Sequence, residues 1–196
     1  MKSYKWIKLF LGWLIGLIFR VNRHNEQLQK VEGSMIICAN HSSLLDPIVL
    51  AIATDRTINY MAKAELFKNK IANWFLRCLG AFPVVRGKAD LTSVKTSLKI
   101  LKNDGVLGIF PQGKRVEEGE SADAKMGLAM LAYKTKATVL PVKIIYKTKP
   151  GFLRRTDIIY GKPLSFEELG FKDGSKEEFA QVSNKILEII NSLSLS

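Results

Sequence analysis

Short apolar runs rich in β-branched residues alternate along the chain with longer stretches in which apolar residues recur every three to four positions. The first pattern is typical of buried strands, and the second is typical of helices that cover a sheet. The predicted strands are 35–39, 58–62, 82–85, 106–110, 139–146 and 157–160. The predicted helices are 47–54, 68–79, 91–103, 124–136 and 176–193. This alternation predicts an α/β domain with a central, mostly parallel sheet flanked by helices, whose functional loops gather near the strand ends.

Residues 4–20 are the most hydrophobic segment of the chain, and lysines precede its uncharged core at 9–19. As a helix that core covers about 16 Å, whereas a bilayer interior is about 30 Å thick, so it is too short to span a membrane. Such a helix can lie in one leaflet, although packing on the protein's own core is the alternative. The side chains predicted to bind the membrane are Lys5, Trp6, Lys8, Phe10, Trp13, Leu17 and Phe19. We therefore predict a membrane-associating helix over residues 1–22 and a single domain over residues 23–196.

The charge of the 196-residue chain is strongly unbalanced, because 30 lysines and arginines against 18 acidic residues give a net charge of +12. This predicts an anionic partner, which on charge alone is either nucleic acid or a phospholipid surface. No base-reading motif is evident, and a nucleic-acid partner would leave the hydrophobic N terminus unexplained, so we expect an anionic phospholipid membrane and no nucleic acid. Cys38 and Cys78 form no metal-binding or disulfide pattern, which predicts buried thiols in a reducing compartment and no metal site.

A histidine stands five positions before an aspartate directly after the predicted strand 35–39. On a regular helix this spacing would leave the side chains of His41 and Asp46 roughly 140° apart. Pro47 favours a helix that begins at or near that residue, so His41 and Asp46 are expected to flank a loop that brings imidazole and carboxylate together. The other histidine, His24, lies in a polar stretch and is expected to be solvated. His41 is therefore the candidate general base.

Two further loops carry arginine beside glycine at strand ends, at 80–88 and 110–115. A guanidinium group binds phosphate oxygens through two parallel hydrogen bonds, and glycine allows a ligand to approach the backbone. The cations predicted to hold a phosphate are Arg86 and Arg115, supported by Lys63, Lys88 and Lys114. Together with one histidine, these loops indicate a phosphorylated substrate held for proton abstraction.

The order of these motifs resembles that of the 1-acylglycerol-3-phosphate O-acyltransferases and the related glycerol-phosphate acyltransferases, over roughly residues 35–146. Asn40, His41 and Asp46 are similar to the first family block, 80–86 to the second, and 110–115 to the third. Residues 139–142 are similar to the fourth block, and 125–127 match a recurrent family feature. Gln112 stands where the family usually has glutamate, and Lys114 where it has threonine. Glutamine retains a carbonyl acceptor without the charge, and the added lysine makes this loop more positive.

The resemblance implies a glycerolphosphate-acyltransferase-like fold and the transfer of a fatty acyl group to the sn-2 hydroxyl of lysophosphatidic acid, which gives phosphatidic acid for phospholipid biosynthesis. It implies that His41 is the base and Asp46 orients it, without an acyl-enzyme. The other expected site residues are Gln112 and Gly113 at the acceptor and Val139, Leu140 and Pro141 at the acyl chain. No cofactor or metal is expected, and acyl-CoA or acyl carrier protein thioester is the co-substrate.

Other acceptors compatible with the same motifs are glycerol-3-phosphate and other lysophospholipids. A different class of protein, a catalytically silent basic module that binds membranes or nucleic acid, would match the charge but not the ordered motifs. The predicted location is the cytoplasmic face of the cell membrane, with monotopic or peripheral attachment.

Overall fold

The strand at the centre of the sheet, residues 35–39, is apolar along its whole length, because hydrophobic cores cover both faces of the sheet there. The computed structural model describes residues 19–85, 90–116, 123–147 and 154–195. Its strands are β1 (Phe19–His24), β2 (Met35–Ala39), β3 (Ile58–Lys63), β4 (Ala81–Val84), β5 (Val106–Ile109), β6 (Thr138–Tyr146) and β7 (Arg154–Tyr160). Its helices are α1 (Asp46–Ala53), α2 (Lys70–Cys78), α3 (Leu91–Lys102), α4 (Gly127–Thr135), α5 (Phe166–Leu169) and α6 (Lys176–Ser192). All five residues of β2 are buried, as expected for an interior strand of a parallel sheet.

The seven strands form one sheet in the order β1-β7-β6-β2-β5-β3-β4. Every neighbouring pair is parallel except β6 and β7, which are antiparallel. The carboxyl ends of β2, β3, β4 and β5 therefore meet at one edge of the sheet. The loops that leave this edge include the one that carries His41.

Alternate residues of the strands supply two separate hydrophobic cores, one on each face of the sheet. On one face, Ile36 and Cys38 of β2 pack with residues of α3, α4 and α6. On the other face, Met35, Ile37 and Ala39 pack with α1, and Leu76 of α2 is packed at the margin of that core. Burial raises the pKa of the Cys38 thiol far above its usual range, so this thiol is inert.

The fold confirms the predicted α/β class, and each predicted strand and helix overlaps one observed element. The predicted ends differ from the observed ends by at most three residues, the largest differences being at α4, which begins at Gly127 instead of 124, and at β7, which begins at Arg154 instead of 157. Cys78 is only half-buried, so its predicted burial is wrong. It lies on α2, a helix in which no residue is fully buried.

Strand β1 was not predicted, and the helix prediction over 1–22 is wrong at residues 19–22. These residues instead pair in parallel with β7 at the edge of the sheet. Val21 packs against the core, and its neighbours Arg20 and Asn22 are exposed, which is the alternation of a strand. The strongly apolar residues just before it led to the helix prediction instead. Phe19, predicted to bind the membrane, is the first residue of this strand.

The rest of the predicted membrane helix, residues 1–18, lies outside the described residues. Among the residues that the structure does describe, no helix is long and apolar enough to cross a bilayer.

Candidate active site

The loop between β2 and α1 brings the predicted histidine and aspartate together. Nδ1 of His41 lies 2.8 Å from Oδ2 of Asp46. The aspartate side chain is fully buried, and the histidine side chain is 13% exposed. Helix α1 begins at Asp46, one residue before the predicted start at Pro47, so the two residues flank the loop as expected. The predicted His41–Asp46 pair is thus formed, and it leaves Nε2 of the imidazole as the nitrogen available to a substrate.

The carboxylate of Asp46 is held by hydrogen bonds from several directions. The backbone N–H groups of Ser42 and Ser43 each donate to Oδ2 at 2.8 Å. The hydroxyl of Tyr146, the last residue of β6, donates to Oδ1 at 2.5 Å. These donors offset the cost of burying a carboxylate and fix its orientation toward His41. The contact between Tyr146 and Asp46 could not be predicted from sequence, because 100 residues separate them and the fold alone brings them together.

Asn40 anchors the start of the catalytic loop to β6. Its side-chain amide donates to the carbonyl of Ile144 at 2.9 Å and accepts from the N–H of the same residue at 2.7 Å. The β2–β6 pairing ends at Ala39 and Val142, and the two hydrogen bonds of the Asn40 side chain continue the contact with β6 beyond that point. This explains why asparagine precedes the histidine.

The imidazole of His41 is also positioned by a stack of aromatic rings. It lies against Phe110 with ring centroids 4.2 Å apart, and Phe110 lies against Tyr60 at 6.3 Å. Tyr60 can cross β5 only because its partner there is Gly108, where an added Cβ would come within 2.3 Å of the Tyr60 ring. Gly108 therefore supports the position of the His41 ring through two intervening side chains, Tyr60 and Phe110.

The third motif forms a tight turn beside this stack. The N–H of Gly113 donates to the carbonyl of Phe110 at 2.9 Å, and Gly113 has a φ of 67°, which favours glycine. Further along the turn, the N–H of Val116 donates to the carbonyl of His41 at 2.8 Å. Lys114 and Arg115 are exposed, and neither forms an ion pair with any residue that the structure describes. Two available cations therefore follow the turn that contacts the catalytic loop.

Gln112 has a distinct environment within the same turn. Its side chain is buried, and among the described residues no hydrogen-bond donor reaches Oε1. A buried carbonyl oxygen without a donor is costly, so this oxygen is suited to accept a hydrogen bond from a ligand.

An apolar cavity of about 390 Å³ adjoins the pair. His41 and Lys63 contribute to its wall, and most of the remainder is aliphatic or aromatic. Side chains from the inner side of α2, Phe75 and Leu76, form part of this wall. Lys63 lies 3.8 Å from Glu65 in an exposed ion pair. The site thus joins a histidine, a cation and a space suited to a hydrocarbon chain.

The predicted acyl-site residues are not placed at this cavity. Val139 and Leu140 are fully buried in the two cores on opposite faces of the sheet, and neither lines the cavity. Pro141 pairs with Cys38 in the β6–β2 ladder. None of the three residues lines this cavity, because β6 lies between two helical layers whereas the cavity is bounded by α1, α2 and β3. Their role at the acyl chain stays a prediction.

Two of the predicted phosphate-binding residues, Arg86 and Lys88, lie outside the described residues. The others are distributed over the carboxyl edge of the sheet, Lys63 at the end of β3 and Gln112 to Arg115 after β5. No group of three histidine, cysteine, aspartate or glutamate side chains that could hold a metal ion occurs in the described ranges.

Comparison with known proteins decides the family. The family model described as Acyltransferase matches residues 20–145, a range that contains every element from β1 to β6 except the first residue of β1 and the last of β6. The chain belongs to the acyltransferase family. Within that family it is 30% identical to the 1-acyl-sn-glycerol-3-phosphate acyltransferase of Streptococcus pneumoniae, over 94% of this chain and 73% of the relative. It is also 30% identical to the protein of the same name from Bacillus subtilis, over 97% of this chain and 98% of the relative.

The fold of this acyltransferase is shared with a solved structure. The crystal structure of the 1-acyl-sn-glycerophosphate (LPA) acyltransferase PlsC from Thermotoga maritima superimposes with a TM-score of 0.70 at 23% identity, covering 100% of this chain and 84% of that chain. The predicted family resemblance and fold are therefore confirmed, and the chain is an acyltransferase enzyme.

Proposed function

We propose that this acyltransferase transfers a fatty acyl group from an acyl thioester to the free sn-2 hydroxyl of 1-acylglycerol-3-phosphate, which gives phosphatidic acid for phospholipid biosynthesis. The observation that carries the proposal is the His41–Asp46 pair, 2.8 Å apart, with its imidazole in the wall of an apolar cavity. Relatives that align over nearly the whole chain are named for the acylation of this acceptor.

In the proposed reaction, Nε2 of His41 takes the proton of the acceptor hydroxyl as that oxygen attacks the thioester carbonyl carbon. Asp46 accepts the Nδ1 hydrogen bond, which fixes the tautomer and stabilises the imidazolium that forms. The carbon–sulfur bond then breaks, and the imidazolium returns the proton to the thiolate leaving group. General-base catalysis of this kind contributes about 10² to 10⁴-fold.

A direct transfer is favoured over an acyl-enzyme because no suitable nucleophile accompanies the histidine. Ser42 and Ser43 use their backbone N–H groups to hold Asp46, and Ser43 Oγ accepts from the N–H of Leu45. Cys38 lies within β2, is fully buried and has a raised pKa. Its thiol therefore stays protonated and inaccessible to a thioester.

The phosphate of the acceptor is proposed to bind the cations around the Phe110 turn. Lys114 and Arg115 are exposed and free of ion pairs among the described residues, so neither has to be released from a carboxylate. Arg86 is proposed to hold the phosphate together with Arg115, and Lys63, Lys88 and Lys114 are the proposed supporting cations. Gln112 Oε1, buried without a donor, is proposed to accept a hydrogen bond from the glycerol part of the acceptor.

The cavity beside His41 is proposed to receive the hydrocarbon chain of a substrate. Its volume of about 390 Å³ and its aliphatic wall suit a methylene chain, whose burial stabilises binding by about 0.8 kcal/mol per CH₂. The acyl donor, acyl-CoA or acyl carrier protein thioester, is a co-substrate, and the proposed chemistry uses no cofactor or metal.

The enzyme is proposed to work at the cytoplasmic face of the cell membrane as a monotopic or peripheral protein. The support is the net charge of +12 together with the hydrophobic segment at 4–20. Anionic phospholipid and lysophosphatidic acid are then the partners at the membrane.

The proposed function is tested by incubating the purified chain with lysophosphatidic acid and a panel of acyl-CoA and acyl carrier protein thioesters, followed by lipid analysis. The expected product is phosphatidic acid, with glycerol-3-phosphate and choline-headed lysophospholipid as poorer acceptors. A preference for either of those two acceptors would contradict the proposed acceptor while retaining acyl transfer. The absence of transfer to all three, with a chain shown to be folded, would contradict the proposal as a whole.

A further inference from the structure

The exposed apolar side chains of this protein are concentrated at one edge of the sheet. The described part of the chain has eight exposed large hydrophobic residues, of which six lie in the connections that leave the carboxyl ends of β2, β3 and β4. These six are Leu44, Leu66, Ile71, Trp74, Val85 and Leu91. Exposed apolar residues that gather at one edge of a sheet in this way mark an interaction site, because unrelated exposed apolar residues would be scattered singly over all faces.

Helix α2 is the centre of this surface. It contains isoleucine, tryptophan, phenylalanine and leucine within nine residues, yet none of its residues is fully buried. Ile71 and Trp74 lie three residues apart on one side of the helix and are 79% and 63% exposed. Phe75 and Leu76 face the cavity instead. Helix α2 therefore separates the cavity, on the side of Phe75 and Leu76, from an exposed apolar stripe formed by Ile71 and Trp74.

The apolar stripe is continuous with the wall of the cavity. Leu44, in the catalytic loop, and Leu66, after β3, are exposed and also line the cavity. We use the name apolar rim for Leu44, Leu66, Ile71 and Trp74. A ligand that covered the apolar rim would thus lie at the opening beside His41.

The charge around the apolar rim selects the kind of partner. Lys63, Lys68, Lys70 and Arg77 are exposed in this stretch, and Glu65 is the only carboxylate between residues 63 and 78. Lys68 and Lys70 form no ion pair with any described residue. Tryptophan and aliphatic side chains flanked by lysine are the composition of protein surfaces that enter the headgroup region of anionic bilayers.

We propose that the apolar rim is a membrane-docking surface that inserts Ile71 and Trp74 into a leaflet of anionic phospholipid, so that the cavity beside His41 opens directly into the bilayer. The inference rests on the proposed function in one respect, because a lipid substrate explains why the opening of the cavity would face a membrane. It is separate from the N-terminal segment, whose residues 1–18 it does not use.

Vesicle flotation tests the docking surface directly. The double variant Ile71→Ser, Trp74→Ser is compared with the unaltered chain on vesicles of phosphatidylglycerol and phosphatidylcholine. The variant is expected to partition at least ten-fold more weakly onto the anionic vesicles. The matched control is Leu195→Ser, which alters an exposed leucine after α6 on the opposite face of the sheet and is expected to change partitioning less than two-fold. Equal partitioning of the double variant and the unaltered chain would overturn the proposal.

An activity measurement separates this inference from the proposed function. Neither Ile71 nor Trp74 lines the cavity, so the double variant should acylate a short-chain lysophosphatidate in free solution at an unchanged rate. On lysophosphatidate embedded in vesicles its rate should fall at least ten-fold. Equal rates for the variant and the unaltered chain on embedded substrate would overturn the docking surface. If the unaltered chain acylates neither form, the proposed function fails, whereas the flotation result still decides the docking surface.

Trp74 fluorescence provides a test that keeps the apolar rim intact. The chain has three tryptophans, so Trp6→Phe, Trp13→Phe leaves Trp74 as the only reporter. Anionic vesicles should shift its emission to the blue, and brominated lipid should quench it. An emission already blue without vesicles would overturn the proposal in one of two ways. If it moves to the red when residues 2–18 are deleted, the N-terminal segment covers this face. If it moves to the red on dilution, a second copy of the chain covers it.

Discussion

The molecule contains two histidine–aspartate pairs with the same short contact and very different surroundings. His41 and Asp46 are joined through Nδ1 at 2.8 Å, and His24 and Asp157 are joined through Nε2 at 2.8 Å. Both carboxylates are fully buried, but the His24 side chain is 39% exposed whereas that of His41 is 13% exposed. Contact distance therefore does not distinguish a catalytic pair from a structural one.

The two pairs differ in what else neutralises the carboxylate. Asp157 receives a hydrogen bond from Asn22 at 3.1 Å and an ion pair from Lys147 at 2.9 Å. Asp46 receives hydrogen bonds from neutral groups, and among the described residues its only possible cationic partner is His41 itself. An imidazolium that forms at His41 is thus stabilised by a carboxylate with no other counter-ion, while His24 faces a carboxylate that already has one.

The two pairs also differ in what they join. The His24–Asp157 pair fastens the edge strand β1 to β7, and Asp157 is the register partner of Ile145 in β6. The His41–Asp46 pair lies at the carboxyl edge with an apolar cavity beside it. In each pair one ring nitrogen is left without a partner among the described residues, so what sets the His41–Asp46 pair apart is the adjoining ligand space and a carboxylate with no other counter-ion.

The largest expected effect on turnover comes from replacing His41 by alanine, and His24→Ala is the matched control. His41→Ala should lower kcat about 10² to 10⁴-fold, because the general base is removed. His24→Ala should leave kcat within about two-fold, since it acts on the attachment of β1. Initial rates on lysophosphatidate, with thermal unfolding to confirm that both variants are folded, measure the difference. Comparable losses in the two variants would mean that the pairs do not differ in role.

The next expected effect concerns the cation near each pair. Arg115→Ala should raise the KM for lysophosphatidate about 10- to 100-fold with a smaller change in kcat, because a charged hydrogen bond to phosphate contributes about 1.5–3 kcal/mol. Lys147→Ala should leave that KM unchanged, because its partner is Asp157. Saturation curves for the acceptor measure both. An unchanged KM in Arg115→Ala would remove this residue from the phosphate site.

A smaller effect is expected from the tyrosine that holds the catalytic carboxylate. Tyr146→Phe removes the donor to Oδ1 of Asp46 and should lower kcat about five- to ten-fold, with KM for the acceptor unchanged. The matched variant is Tyr160→Phe, which removes a hydrogen bond from β7 to the carbonyl of Ala53 at the far end of α1 and should alter stability without altering kcat. A change in KM without a change in kcat for Tyr146→Phe would show that the hydroxyl contacts substrate instead of positioning Asp46.

Asp157→Asn is expected to leave kcat unchanged and to lower the stability of the fold. Burial raises the pKa of Asp157, but hydrogen bonds from His24, Lys147 and Asn22 and the charge of Lys147 outweigh it and hold the pKa below its usual value. A carboxyl whose folded pKa is lowered adds stability above its unfolded pKa, near 3.9, and loses it as pH falls through the folded value.

Unfolding of Asp157→Asn by urea should therefore require about 1–3 kcal/mol less free energy than the unaltered chain at neutral pH. This difference should shrink as the pH is lowered below about 4. A difference that is constant from pH 7 to pH 3 would mean that the charge of Asp157 does not contribute to stability.

The sequence was sufficient for the parts of the fold that follow from local pattern. The run at β2 could be predicted because both of its faces are buried, and the loop from His41 to Asp46 because proline fixes the start of α1. Strand β1 could not be predicted, since its pairing with β7 is a contact across 135 residues, between Asn22 and Asp157 among others. The apolar segment 4–20, which overlaps the start of β1, led instead to the prediction of a helix over these residues.

The candidate site was predictable only where its residues are neighbours in sequence. His41, Asp46 and the turn after β5 each lie within a few residues of a recognisable motif. Tyr146 and the Tyr60–Phe110 stack reach the site through the order of strands, which sequence alone does not give. His24 was expected to be solvated, and its side chain is 39% exposed, but its contact with the buried carboxylate of Asp157 was not predicted because Asp157 is on another strand. The cavity beside α2 was likewise not predicted, because its wall joins residues from separate strands and helices.

The central claim is that Asp46 acts on the reaction through His41, and the double variant His41→Ala, Asp46→Asn tests it most directly. If the two residues work as one unit, kcat of the double variant on soluble lysophosphatidate equals that of His41→Ala within about three-fold, because the aspartate has no base left to orient. If the losses of the two single variants instead multiply in the double variant, Asp46 has a role of its own and the account is contradicted.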